Sequence, residues 1–190
     1  MLVGFVGAPC SGKTTTAARL FAELKEMGIP AEYVAERARS YIARAKASKR
    51  SRGDVAPLVL CDEDQKKIAT GQFVDESVMH DPKVVLVTDS CVLNSLLYMT
   101  EGCRTDPEVN SLMRAAAARY DLLFWCGPVA RPEGDDPNRV HGEAECVAIH
   151  DQIETVIQPM LGKPMFVLAG SPRHRFTDAM HAVLDAFTGE

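Results

Sequence analysis

The chain's 190 residues, 46% hydrophobic and 25% charged, have the make-up of a globular protein and give no ground for a disordered or fibrous one. That length suits one domain with a full core, expected over residues 1–190, and the longest apolar stretches, 84–87 and 122–126, fall far short of the roughly 20 residues that cross a membrane as a helix. A net charge of −5 weighs against a surface that binds nucleic acid throughout, although the distribution of charge matters more than its sum.

The run Leu2–Val6 predicts a strand and residues 12–27 a helix. Between them Gly7, Ala8, Pro9, Cys10, Ser11, Gly12, Lys13 and Thr14 fit G-x-x-x-x-G-K-[ST], in the strand–loop–helix setting that gives the pattern its meaning. In such a loop the glycines let successive N–H groups converge on a phosphate, and the helix N-terminus favours the anion. Lys13 is expected on the β- and γ-phosphates and Thr14 on Mg²⁺, with Thr15 beside them in the nucleotide site. ATP with Mg²⁺ is the expected cofactor.

A second strand is predicted at 32–35, with Glu36 just beyond it. A basic helix follows at 37–47, and then a polar, glycine-containing break at 49–54. From Arg37 to Arg52 there are seven basic residues (Arg37, Arg39, Arg44, Lys46, Lys49, Arg50, Arg52) and no acidic one, a third of the chain's 21 Lys and Arg. The expected elements continue with a helix at 62–79, a strand at 84–88, helical segments near 91–99 and 107–119, and a strand at 121–126. A loop rich in Pro, Gly and Asp covers 127–138, before a helix at 140–159, a strand at 165–168 and a helix at 172–187. Short β-type runs alternating with helices predict a parallel sheet covered on both faces. The six cysteines show no metal-binding spacing and read as reduced thiols of a cytoplasmic protein.

Ligands of open parallel sheets bind beyond the carboxyl ends of the strands, which singles out the phosphate loop, Glu36, Asp89 and the loop from Gly127. Phosphoryl transfer asks for in-line positioning, Mg²⁺, cations on the transferring group and an acceptor for the nucleophile's proton. Asp89 suits either the metal or the proton, with the N-cap of the following helix as the lesser alternative. Glu36 suits a substrate hydroxyl, or is a solvated acid in a first helical turn. Arg131 and Arg139 suit the charge-stabilising cation, unless they pair with Asp135 and Asp136.

Taken in order, these pieces resemble the small P-loop kinases of the nicotinamide riboside kinase type, often described as a short AAA-like ATPase domain, within the nucleoside and nucleotide kinase fold. The matching pieces are Gly7 to Thr14, Glu36-x-x-Arg39-x-Tyr41-Ile42, Gln65, and Asp89 with Leu93-Asn94-Ser95-Leu96-Leu97-Tyr98. Tyr120 to Phe124 and Asp135-Asp136-x-x-Arg139 complete them. The resemblance implies a three-layer sandwich whose five parallel strands run in the order 2-3-1-4-5, with a lid at about 127–142. It also implies an ATP-dependent kinase with Lys13, Asp89, Glu36 and Arg139 at the chemistry. Arg131 would then lie on the nucleotide, and Glu36, Arg39, Tyr41 and Gln65 on the acceptor. Ser90 departs from the pattern, because many relatives carry Arg there.

The acceptor is expected to be a hydroxyl of a nucleoside unit. The basic segment tips the reading toward DNA, whose phosphates gain from nearby Lys and Arg, and toward the phage branch that phosphorylates 5-hydroxymethyluracil within DNA. Tyr33, Tyr41 and Phe73 are candidate stacking surfaces for such a base. A free nucleoside or nucleotide is the alternative acceptor, and an ATPase or switch the alternative class, disfavoured by the lack of a second acid beside Asp89. The chain is expected to be a monomer or homodimer.

Overall fold

The computed structural model describes residues 1–128 and 143–189. Five strands, β1 (Leu2–Val6), β2 (Ala31–Val34), β3 (Val85–Thr88), β4 (Leu122–Cys126) and β5 (Phe166–Leu168), form one sheet in the order β2-β3-β1-β4-β5. All four pairings are parallel, as the resemblance implied. The register sets Gly4 beside Thr88 and Val6 beside Trp125, so the chain leaves β1 and β3 at the same edge.

Every residue of β1 and β3 is buried, because the central strands are covered on both faces and read as unbroken apolar runs. Their side chains still alternate. Leu2, Val6 and Leu86 enter one core, whereas Val3, Phe5, Val85 and Val87 enter the other. The second core is closed by α1 (Lys13–Glu26) and α8 (Pro172–Thr188), through Ala17, Leu20 and Leu24 of the former and Ala179, Met180 and Val183 of the latter. The first is closed by α3 (Asp62–Met79), a 3₁₀ run at Val92–Tyr98, and α5 (Pro107–Ala117). Local chemistry sets several helix starts: Asp106 accepts from the amides of Glu108 and Val109, Ser171 accepts from His174, and Pro107 and Pro172 occupy the first turn.

Three stretches depart from expectation. The basic helix α2 (Arg37–Ser51) runs past its predicted end and buries no residue; it stops at a turn where Gly53 takes φ 71°. A short α4 (Glu101–Arg104), begun by the Thr100 hydroxyl capping the Cys103 amide, was not expected. The helix predicted at 140–159 is described as α6 (Glu143–Asp151), α7 (Ile153–Val156) and a 3₁₀ turn at Gln158–Met160. An i→i−3 bond from Gln152 N to Ile149 O, at 3.3 Å, marks the first break, and Pro159 at the 3₁₀ turn brings no N–H to a continuing helix. Ile149, Ile153 and Ile157 stay buried through the bends.

No described helix is long and apolar enough to cross a membrane.

Candidate functional site

The loop between β1 and α1 is shaped by two glycines. Gly12 caps α1 at φ 83°, a left-handed conformation that side-chain-bearing residues rarely take. At Gly7 a Cβ would lie 2.4 Å from Ser11 Oγ and 2.9 Å from the Cys126 carbonyl, so the loop packs against the end of β4 through backbone alone. Cys10 also has positive φ, 63°. Lys13 Nζ donates to the carbonyls of Gly7 and Ala8, both at 2.9 Å, so its ammonium lies across the loop's opening turn. Pro9 and Ser11 stand between these contacts and α1, and Thr15 is exposed on the helix's first turn.

Beside Lys13, the Thr14 hydroxyl donates to Asp89 Oδ2 at 2.9 Å. Asp89 directly follows β3 and is 2% exposed. Its carboxyl is pushed up by burial and by Glu36, against the hydrogen bond from Thr14 and the charges of Lys13 and Arg39. Its Oδ1 makes no hydrogen bond. The N-cap alternative fails: the next cap is Cys91, and Asp89 turns to Thr14 instead. A threonine hydroxyl and a carboxylate with a free oxygen fit Mg²⁺, a hard cation that takes one or two protein oxygens and leaves the rest to phosphate and water. No group of three or more His, Cys, Asp or Glu forms a metal cluster among the described residues.

Glu36 ends the loop after β2 and meets Arg39 at 3.4 Å, while Arg39 also donates to Thr14 Oγ1 at 3.3 Å. Arg39 is thus drawn toward the phosphate side rather than only the acceptor side. A pocket opens here, with Gly7 and Lys13 on one wall, Glu36, Gln65, Ile68 and Gln72 on another, and Ser90, Asn94 and Tyr98 on a third. Gln65 lines this pocket. Tyr41 does not: its hydroxyl donates to Asp64 at 2.6 Å, away from the pocket lining. The other stacking candidates are also committed, Tyr33 against Phe21 at 5.7 Å and Phe73 beneath the Arg119 guanidinium at 4.6 Å. Arg131, Arg139 and the lid beyond Pro128 lie outside the described residues.

Three further residues hold the site together. Asn94 accepts from Gly7 N and donates to Phe5 O and Ser90 Oγ, which ties the loop to the chain after β3. On α3, Glu76 is 1% exposed and accepts from Tyr120 and Thr88; Tyr120 in turn accepts from the Val92 amide. Burial pushes the Glu76 carboxyl up to about 7, against these hydrogen bonds. Arg175 was not expected at all: it is 2% exposed and reaches the phosphate loop from α8. No local pattern marks it, because its contact with Ser11 spans 164 positions. The only available signal was an arginine in the first turns of an otherwise core-facing helix.

The family described as an AAA domain matches residues 2–175, and the chain belongs to it. No curated protein matches. Among solved structures, the chain is similar to Chaetomium thermophilum Kti12 in complex with ADP-AlF3, at TM-score 0.55 and 17% identity over 98% of both chains. It is also similar to NadR in complex with NR, at TM-score 0.68 and 20% identity. That match covers 100% of this chain and 52% of NadR, so the chain spans about half of that protein. At these identities the likeness establishes the P-loop NTPase fold.

Proposed function

We propose, from membership of that family, that the chain is an ATP-dependent kinase that transfers the γ-phosphate to a hydroxyl of a nucleoside unit. The observation that carries this reading is that Lys13, next in sequence to the Thr14 that bonds Asp89, lines one pocket together with Glu36 and Gln65. A half-open pocket beside the phosphate loop gives an acceptor hydroxyl a place to approach the γ-phosphate. The NTPase neighbours add support, since Kti12 holds ADP-AlF3 and NadR holds NR.

Each residue then has a task. Backbone amides of Gly7 to Thr14 bind the phosphates, and Lys13 leaves the Gly7 and Ala8 carbonyls to meet the charge between β and γ. Thr14 and Asp89 would hold Mg²⁺, which when bound would neutralise charge on the transferring group. Asp89 is engaged with Thr14, which supports Glu36 as the carboxylate that takes the acceptor's proton. Arg39, within reach of Thr14, steadies the phosphoryl group. Arg131 and Arg139 are proposed as further nucleotide contacts.

For the acceptor, 5-hydroxymethyluracil within DNA fits best with α2, where Arg44, Lys46, Arg50 and Arg52 form no ion pair among the described residues. The same helix begins at the pocket wall through Arg37 and Ala38. A free nucleoside is the second reading, favoured by the pocket's position between the start of α2 and α3, beside the phosphate loop. Incubation with ATP and either free nucleosides or hydroxymethyluracil-containing DNA, followed by digestion and mass spectrometry, separates the two. Phosphate on the DNA base is expected; phosphate only on free compounds removes the DNA reading. ATP loss that no acceptor accelerates removes the kinase reading in favour of a switch.

A further inference from the structure

Among the described residues, Arg175 is the one buried cation that the proposed chemistry leaves unused. Its Nη1 donates to Ser11 O at 2.7 Å and Gly127 O at 2.8 Å, its Nη2 to Pro128 O at 2.9 Å, and its Nε to Gly170 O at 3.0 Å. One planar guanidinium thus joins the phosphate loop to the chain leaving β4 and the chain leaving β5. No carboxylate pairs with it among the described residues. A buried charge with no counter-ion is costly unless its donors are fully used and an opposite charge arrives.

The Ser11 contact has a directional consequence. A trans peptide holds its C=O and the following N–H antiparallel, and the described chain contains no cis peptide. Pinning the Ser11 carbonyl toward α8 therefore aims the Gly12 N–H the opposite way. Gly12 at φ 83° is the residue whose backbone turns there into α1.

We propose that Arg175 is a positioning residue for the phosphate loop: by holding the Ser11 carbonyl against the ends of β4 and β5, it fixes the direction of the Gly12 amide and sets a buried positive charge behind the triphosphate. It touches neither the acceptor nor the reacting atoms. The proposal rests on nucleotide binding at this loop and not on the acceptor, so a failed acceptor screen leaves it standing.

Calorimetric titration of Arg175→Lys and Arg175→Met with ATP·Mg²⁺ and with inorganic tripolyphosphate tests it. Lys keeps the charge but not the fork that spans four carbonyls, so both variants should bind both ligands about tenfold more weakly or worse, roughly 1.4 kcal/mol. A folded Arg175→Lys protein with wild-type affinity, or variants that lose melting temperature but keep their affinity for tripolyphosphate, overturns it. Should neither variant fold, hydrogen exchange on the wild-type protein decides. Added tripolyphosphate should protect residues 122–128 and 166–176 together with 7–14, and protection confined to 7–14 overturns the proposal.

Discussion

Lys13 holds its own loop: the ammonium that would meet a triphosphate donates to Gly7 O and Ala8 O, each at 2.9 Å. Replacing it removes a cation from the phosphates and two ties from a loop that α1, Asn94 and Arg175 still anchor. Lys13→Ala is therefore expected to keep its circular-dichroism spectrum and to lose phosphoryl transfer by on the order of 10³-fold, the scale of losing a donor from developing charge. Comparable turnover in that variant would refute the assignment of the loop. At this scale the motif was fully legible, since eight consecutive residues state their own geometry. Asp89 was legible only as a residue after a strand. Its engagement with Thr14, 75 positions away, rather than with a helix start is a tertiary choice.

Among the elements, α2 bears on the acceptor. The sequence shows its charge plainly, but not how much of that charge is already neutralised. Arg37 pairs with Asp75 at 2.9 Å and Lys49 with Asp54 at 2.7 Å. Reversing Lys49 would therefore break an internal contact. Lys46→Glu, Arg50→Glu and Arg52→Glu are the cleaner changes. Together they are expected to weaken DNA binding and to flatten its dependence on salt by about 0.7–0.9 per lost phosphate contact, with the KM for ATP unchanged. Fluorescence anisotropy over a salt series measures the slope, and an unaltered slope removes α2 from the interface. The strand and helix alternation was readable because burial on both faces demands apolar runs. The breaks within 143–160 were not, since they serve the burial of Ile149, Ile153 and Ile157 and carry only Pro159 as a local sign.

For the molecule as a whole, stability is tied to pH through Glu76, a residue the sequence did not single out. Its folded carboxyl titrates at about 7 against an ordinary 4.5, so the fold prefers the protonated form. That contribution is complete below 4.5 and is lost as pH rises through about 7, in total roughly 3 kcal/mol. Glu76→Gln keeps an accepting oxygen for Thr88 and Tyr120 and stays neutral. The variant should match wild type near pH 4 and become the more stable of the two toward pH 8.5; parallel melting curves across that range would contradict this. The sheet order, by contrast, was available only through the family resemblance, because no local pattern says that β1 lies between β3 and β4. That placement governs how the chain is made. Leu2 N finds the Asp121 carboxylate 119 positions away, and the Met1 ammonium finds Val84 O 83 positions away. β1 is therefore flanked on both sides only once Asp121, 119 positions beyond Leu2, has been made. Parallel pairing at such separations is slow, and an apolar strand waiting that long is open to aggregation. The strand that carries the phosphate loop is thus the part of the chain with most to gain from a chaperone during synthesis.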